Sequence, residues 1–352
     1  MKKNKKIKPV IIAEIGVNHF DIAKFSGLSP IEAAKKMINE VKINGGDIAK
    51  FQTYKAEKLA AKYSPSYWDT SEESTKSQID LFKKFDSFGQ KEFEELYHYS
   101  NSIGIEFMST GFDIDSIEYI NSFVSRHKIA SADLTNIELI EKIASFKKPI
   151  LMSTGASTLD EIKHSVNLME DLNVENLTLL HCVLNYPTEL PNANLWMIKS
   201  LKENFPNYTI GYSDHTKFNL DVLMSSIILG AEVIEKHFTL DKSLKGNDHY
   251  HAMDSQDLLL FNKKIKSYEE FLGLNNSEED LIQSQNQSRL NARRGVYFKQ
   301  DVCEGDIVQK CHVEFLRPQL NGISTIDFNE LIKSNKKYIR NFTKGELFND
   351  DK

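Results

Sequence analysis

His215 and His237 close two successive β-rich runs, YTIGYSDH and EVIEKHFT, and are the first residues of this chain whose placement could do chemistry. If the two runs are neighbouring strands, both imidazoles can reach one cation, since neutral imidazole is a good ligand for divalent metals. Glu14, Glu235 and Asp248 could add oxygen donors there or act as salt-bridge partners. Such a nitrogen and oxygen set suits Mn²⁺ first, with Mg²⁺ or Co²⁺ as alternatives, better than structural zinc. His249 and His251 in NDHYHAMD are a weaker zinc candidate, because i, i+2 spacing sets them on opposite sides of an extended segment. A second set, Lys50, Lys128, Ser153 and Ser213, has the makings of an anion site. Lysines supply charge and serine hydroxyls supply directional donors to phosphate or carboxylate oxygens. The expected substrate is a phosphorylated acid.

Each of these residues taken alone is an ordinary strand-end group, so the argument rests on the elements that carry them. Eight β-rich runs recur, ending near Gly16, Gln52, Thr110, Asp133, Gly155, Tyr186, His215 and Thr239. Stretches with helical spacing of apolar residues separate them, among them residues 30–43, 90–103, 159–171 and 193–204. Eight βα units predict a (β/α)8 TIM barrel, and barrel enzymes carry their reactive groups at the carboxyl ends of the strands. A doubly wound open sheet would need a glycine-rich phosphate loop after the first strand, which AEIGVNHF lacks. After Phe271 the chain turns polar, so residues 1–272 are read as the barrel and 273–292 as a linker. Residues 293–352, with the β-like runs GVYFKQDV and IRNFTKGE and turns at Gly305 and Gly345, are read as a small, mostly β domain.

Composition narrows the function classes. The net charge of −6 and the scattering of lysines among acids argue against a nucleic-acid partner. The basic start runs into an apolar stretch broken by Glu14, which reads as a first strand, and no apolar run reaches the roughly 20 residues a bilayer requires. Three cysteines without metal-type spacing fit a reducing compartment, and a cytoplasmic location is expected.

The motifs together resemble the sialic acid (N-acetylneuraminate) synthases and their relatives that make other nonulosonic acids, including legionaminate and pseudaminate synthases. The resemblance runs through AEIGVNH (residues 13–19), KFQ (50–52), KIASAD (128–133), KPILMSTGAS (148–157) and LHCVLNYPT (180–188). It continues through GYSDHT (211–216), EKHFTLD (235–241), GNDHYHAMD (246–254) and the Arg317-Pro318 pair, and the last part resembles an antifreeze-like (SAF, β-clip) domain. The resemblance implies condensation of phosphoenolpyruvate with an open-chain N-acetylated amino sugar. N-acetylmannosamine is the first choice of acceptor and a diacetamido-trideoxy hexose the alternative. It assigns His215 and His237 to the metal, and Lys50, Thr110, Lys128, Ser131, Ser153 and Ser213 to phosphoenolpyruvate. Gln52, Tyr186, Asp248 and Glu235 fall to the amino sugar, with Glu14 near the reacting carbons. Arg317 is implied to reach the sugar's N-acetyl group from a partner subunit, as in a domain-swapped homodimer.

Metal on the aldehyde oxygen would assist attack by the enol, and Glu14 or Glu235 would handle the water that follows. Three positions depart from the family pattern. Leu184 stands where relatives carry a donor to phosphate, so that one donor is either missing or replaced by Asn185; Gly111 replaces a proline and is expected to loosen a turn; and extra residues after His19 predict a different loop over the sugar site. A Schiff-base aldolase using Lys128 or Lys50 and a non-catalytic carbohydrate- or ice-binding protein are the competing readings.

Overall fold

The computed structural model describes residues 7–246, 248–273 and 276–349. Most of the basic start, one residue of GNDHYHAMD, part of the expected linker and the last residues of the expected small domain lie outside that range. The chain divides into two compact units, one through Leu272 and one from Gly273.

The first unit is a (β/α)8 barrel. Its strands are β1 (Val10–Gly16), β2 (Ile48–Thr53), β3 (Glu106–Gly111), β4 (His127–Ile129), β5 (Ile150–Ser153), β6 (Leu177–Cys182), β7 (Thr209–Asp214) and β8 (Val233–His237). They pair in parallel in the order β3-β2-β1-β8-β7-β6-β5-β4, and β3 packs beside β4 to close the ring. Both faces of a barrel strand are covered, so these strands read as apolar runs with no polar alternation. The alternation survives as two different cores. Outward residues such as Ala13, Phe51, Met152, Leu179 and Ile234 pack in the layer shared with the helices. Ile12, Ile48, Met108, Leu151, Leu180 and Val233 form a separate cluster that plugs the barrel interior. Gly211 belongs to that layer, where a Cβ would come within 2.5 Å of Leu180 and 2.6 Å of the Val233 carbonyl.

The helices are set by local signals. Pro30–Ile43 begins with Pro30 at its first turn and a capping box in which Ser29 and Glu32 satisfy each other's backbone N–H groups. Its buried face, Ala33, Ala34, Met37, Ile38 and Val41, repeats at three and four residues, as a 3.6-residue period demands. Leu159–Asp171 starts with the same device, Thr158 with Glu161.

Several local expectations are corrected. The residues after His19 are no loop: Asn18–Ser26 is a helix, terminated by Gly27 at φ 73°, whose N–H donates to the Ala23 carbonyl. Gly111 loosens nothing, because it lies within β3 opposite Thr53 and its missing Cβ lets Ile117 pack closely. The fourth run ends as a strand at Ile129 and continues as a 3₁₀ turn, Ser131–Asp133. The sixth stops at Cys182, and the chain then crosses the mouth before Thr188 pairs with Thr216.

In the second unit β9 (Gly295–Phe298) and β10 (Val313–Leu316) form an antiparallel pair over Val302, Phe328, Tyr338, Phe342 and Phe348, with one helix at Thr325–Lys333. The run IRNFTKGE forms no strand of its own but is tied to this unit by backbone hydrogen bonds, Phe298 N–H to the Glu346 carbonyl and Gly345 N–H to the Phe298 carbonyl, and by a bridge between Phe342 and Val302. The short helices Glu278–Ser284 and Asn286–Ala292 bury no residue. All three cysteines are free, and among the described residues no helix is long and apolar enough to cross a membrane.

Candidate active site

The apolar plug sets the height of the site. Two residues beyond Ile12, Ile48, Met108, Leu151, Leu180 and Val233 come Glu14, Lys50, Thr110, Ser153, Cys182 and Glu235. A strand repeats its facing every second residue, so these six form the next layer inward and upward. They line the floor of a cavity of about 440 Å³ at the carboxyl end of the barrel.

The floor is a buried charge cluster. Lys50 Nζ lies 2.5 Å from Glu14 Oε2 and 3.6 Å from Glu235 Oε2, and donates to Thr110 Oγ1 at 3.1 Å. Lys128 Nζ donates to Ser153 Oγ at 2.7 Å and lies 3.7 Å from Glu235 Oε1, which accepts from Ser213 Oγ at 3.0 Å. Gln52 donates to Glu14 Oε1 at 3.0 Å, and Ser131 Oγ accepts from the Gly155 N–H at 3.0 Å. The two carboxyls are driven apart. Burial pushes Glu14 up, and Lys50 offsets only part of that, so Glu14 sits at about 7. Burial acts on Glu235 as well, but Lys128 and Lys50 outweigh it and hold that carboxyl at about 2. Burial lowers Lys128, while Glu14 and Glu235 overcome it at Lys50 and raise that amine above the usual lysine range.

The two histidines stand beside this floor with ring centroids 5.5 Å apart. His215 Nδ1 lies 2.8 Å from the Val183 carbonyl, which can only accept, so Nδ1 carries the proton and Nε2 keeps its lone pair. Burial lowers His237 to about 3, so its ring is neutral. Tyr186 packs against His215 with ring centroids 4.1 Å apart and tilted by 35°, and Tyr250 donates its hydroxyl to the Tyr186 carbonyl. Asp248 lies 3.6 Å from both His237 Nδ1 and His251 Nε2, and faces a smaller adjoining pocket with Gln52 and Tyr186. His249 turns away to Thr239 and Asp21, so the NDHYHAMD histidines do not converge.

These residues fit a divalent ion. Two imidazoles, one with its tautomer set by a carbonyl, lie in a cavity with carboxylates, but no group of three His, Cys, Asp or Glu among the described residues is arranged to hold a metal. Two protein nitrogens would leave most positions to water or substrate oxygens, which suits Mn²⁺ or Mg²⁺ and not a closed zinc site.

Of the residues the resemblance assigns to metal, enol phosphate, sugar and reacting carbons, all but Asp248 and Arg317 line one cavity. Arg317 follows β10 in the second unit. Leu184 lines the cavity, whereas Asn185 is exposed and replaces no donor there. The sequence offers His251 only as a partner for His249, whereas its ring centroid lies 5.1 Å from that of His237; it gives little sign of a set of mouth residues, Tyr54, Leu59, Tyr67, Phe82 and Phe112. Only Tyr54 carried a signal, two residues beyond Gln52 in KFQTY.

A barrel with a paired-lysine floor, two imidazoles and one carboxyl poised near neutrality at its carboxyl mouth is an enzyme of the (β/α)8 class. Comparison with known proteins agrees and is narrower. The chain belongs to the NeuB family, whose profile matches residues 37–277. It is 36% identical over 332 residues to an uncharacterised protein of Methanocaldococcus jannaschii, covering 93% of this chain and 91% of that one. It is 32% identical over 349 residues to the N,N'-diacetyllegionaminic acid synthase of Campylobacter jejuni, covering 97% and 99%. Among solved structures it is similar to the N-acetylneuraminic acid (sialic acid) synthetase of Leptospira borgpetersenii in complex with citrate, with TM-score 0.67, 30% identity, and 81% and 93% coverage.

Proposed function

We propose that this enzyme condenses phosphoenolpyruvate with an open-chain N-acetylated amino sugar, giving a nonulosonic acid and phosphate by C–O cleavage. The observation that carries this reading is the juxtaposition, in one cavity, of a two-lysine floor with hydroxyl donors and two imidazoles. Lys50, Lys128, Thr110, Ser131, Ser153 and Ser213 hold the enol phosphate and fix its C3 toward the mouth. Gln52, Tyr186 and Asp248 orient the sugar. His215 and His237 hold the divalent ion, Mn²⁺ in the first instance, which when bound would polarise the aldehyde oxygen.

The electron pair of the enol forms the new bond from C3 to the aldehyde carbon, and the aldehyde oxygen takes the proton that Glu14 holds, which the water added later restores. Positive charge then develops at C2, beside Glu235, whose carboxyl Lys128 and Lys50 hold below the usual carboxylate range and which stabilises that charge. Water adds to C2 and passes one proton to Glu14, the carboxyl poised to hold or release a proton near neutrality. Collapse of the tetrahedral adduct breaks the C2–O bond to phosphate and leaves the keto acid. The second unit is assigned to an antifreeze-like domain whose Arg317 reaches the acetyl group in a partner subunit of a homodimer.

The test is phosphate release from phosphoenolpyruvate by the purified full chain with Mn²⁺. Release should require an N-acetylated amino sugar and stop on chelation. Release without sugar, or none with any acceptor of this class, overturns the reading.

A further inference from the structure

We propose that His251 is a positioning residue for the divalent ion: it anchors Asp248 against Nδ1 of His237, so that His237 presents Nε2 to the cavity. The inference rests on the reading of His215 and His237 as the metal pair and adds the residue that fixes one of them. His251 is fully buried, and neither of its ring nitrogens has a partner within hydrogen-bond distance. Its Nε2 lies 3.6 Å from Asp248 Oδ1, and the other oxygen of that carboxylate lies 3.6 Å from Nδ1 of His237. Asp248 thus stands between two imidazoles and turns one oxygen to each. Approaches of this length are common in a free enzyme and tighten in its complexes. An apolar side chain would fill the same space with no buried polar nitrogen, so the imidazole calls for a use beyond packing.

The loop after β8 is pinned on both sides of His251. Met253 N–H donates to the His237 carbonyl at 2.8 Å and the Met253 carbonyl accepts from Thr239 N–H at 3.0 Å, while the Tyr250 hydroxyl holds the Tyr186 carbonyl. His251 packs edge-on against His237, with the ring planes at 89°. It lines neither the main cavity nor the smaller pocket beside it, whereas His237 lines both, so His251 acts from behind the site. A carboxylate on Nδ1 fixes the proton there, leaves the lone pair on Nε2 and makes that nitrogen a better donor to a cation. His215 receives the equivalent support from the Val183 carbonyl. A carboxylate free to turn would be drawn to the ion itself; the second imidazole keeps Asp248 behind His237, at the edge of the smaller pocket where the sugar role was assigned.

The test measures binding of Mn²⁺ alone to the full chain, from loss of the free-ion electron paramagnetic resonance signal. His251→Phe keeps a ring in the same space and removes the donor. It should weaken Mn²⁺ binding by about 10- to 100-fold, the range for loss of a partner behind a metal ligand. His251→Gln, whose amide N–H can stand where Nε2 does, should bind like the parent. Asp248→Asn should weaken binding by a similar factor, and adding His251→Phe to it should weaken it little further, because both act through one contact. Urea titrations show which variants fold, and His251→Leu replaces His251→Phe if the latter does not. Parent-like affinity in the folded variant, or additive effects in the double variant, overturns the proposal. So does a pulsed-resonance spectrum of bound Mn²⁺ that loses one nitrogen coupling in His251→Phe, since that would make His251 a direct ligand. His215→Ala tests the reading beneath: it should remove Mn²⁺ binding, and parent-like affinity there would overturn the metal pair itself.

Discussion

The ends of β7 and β8 carry buried ionic groups on both faces, and the two faces are built differently. Toward the helices, Lys236 and Asp214 pair at 2.6 Å with no side-chain exposure. Every group there is satisfied: Asp214 also accepts from Tyr212, the Thr216 N–H and the Thr216 hydroxyl, and Lys236 donates to the Thr216 carbonyl. Toward the cavity, Glu235 meets Lys50 and Lys128 only at 3.6 and 3.7 Å. The first cluster is closed and holds the strand ends that present His215 and His237. The second is loose where Glu235 faces the two lysines and opens onto the cavity, which is what a site needs if an incoming anion is to replace one partner by another. Burial alone therefore does not mark a functional charge; the incompleteness of its contacts does.

The comparison predicts opposite consequences for single substitutions. In the open cluster, Glu14→Gln should lower kcat by about 10²- to 10⁴-fold while unfolding free energy changes by about 1 kcal/mol or less; parallel kinetics and urea titrations check both. In the closed cluster, Lys236→Met strands the Asp214 carboxylate and should cost about 3–5 kcal/mol of stability, read from the same titrations. If Glu14→Gln proved as destabilising as Lys236→Met, the distinction between the two faces would fail.

A smaller effect separates the imidazoles. His19 is buried against Phe20, Phe51 and Phe88, and burial lowers it to about 3. A ring that stays neutral in the fold but protonates near 6.5 in the unfolded chain contributes fully above pH 6.5 and loses its contribution as pH falls toward 3. Between pH 7 and 4 this amounts to about 3 kcal/mol. Denaturation of His19→Leu should show an acid limb flatter than that of the parent by about that amount, and an unchanged limb would contradict the assignment.

Much of this was readable from residue types because a strand repeats every second position. Ile12 with Glu14, Ile48 with Lys50 and Val233 with Glu235 place an apolar plug and a charged floor in register without any knowledge of tertiary structure. Helix starts were equally local, since Ser29 with Glu32 and Thr158 with Glu161 are signals within one turn. What escaped has no period. His251 reaches His237 through an irregular loop, and Leu59, Phe82 and Phe112 become one wall only when the segment between β2 and β3 folds over the mouth. The Asp214–Lys236 pair was hidden for a different reason: its members sit inside the motifs GYSDHT and EKHFTLD, where the neighbouring histidines drew the chemistry. The helix Asn18–Ser26 is hidden because no side chain caps its start, which leaves the sequence without a local N-terminal signal.

The central claim is that this cavity holds an enol phosphate whose C2, not its phosphorus, is attacked by water. Phosphoenolpyruvate carrying ¹⁸O at the bridging oxygen decides it, with the products of the acceptor-dependent reaction read by mass spectrometry. The label should leave with phosphate; its retention in the keto acid would mean P–O cleavage and contradict the roles given to Glu14 and Glu235.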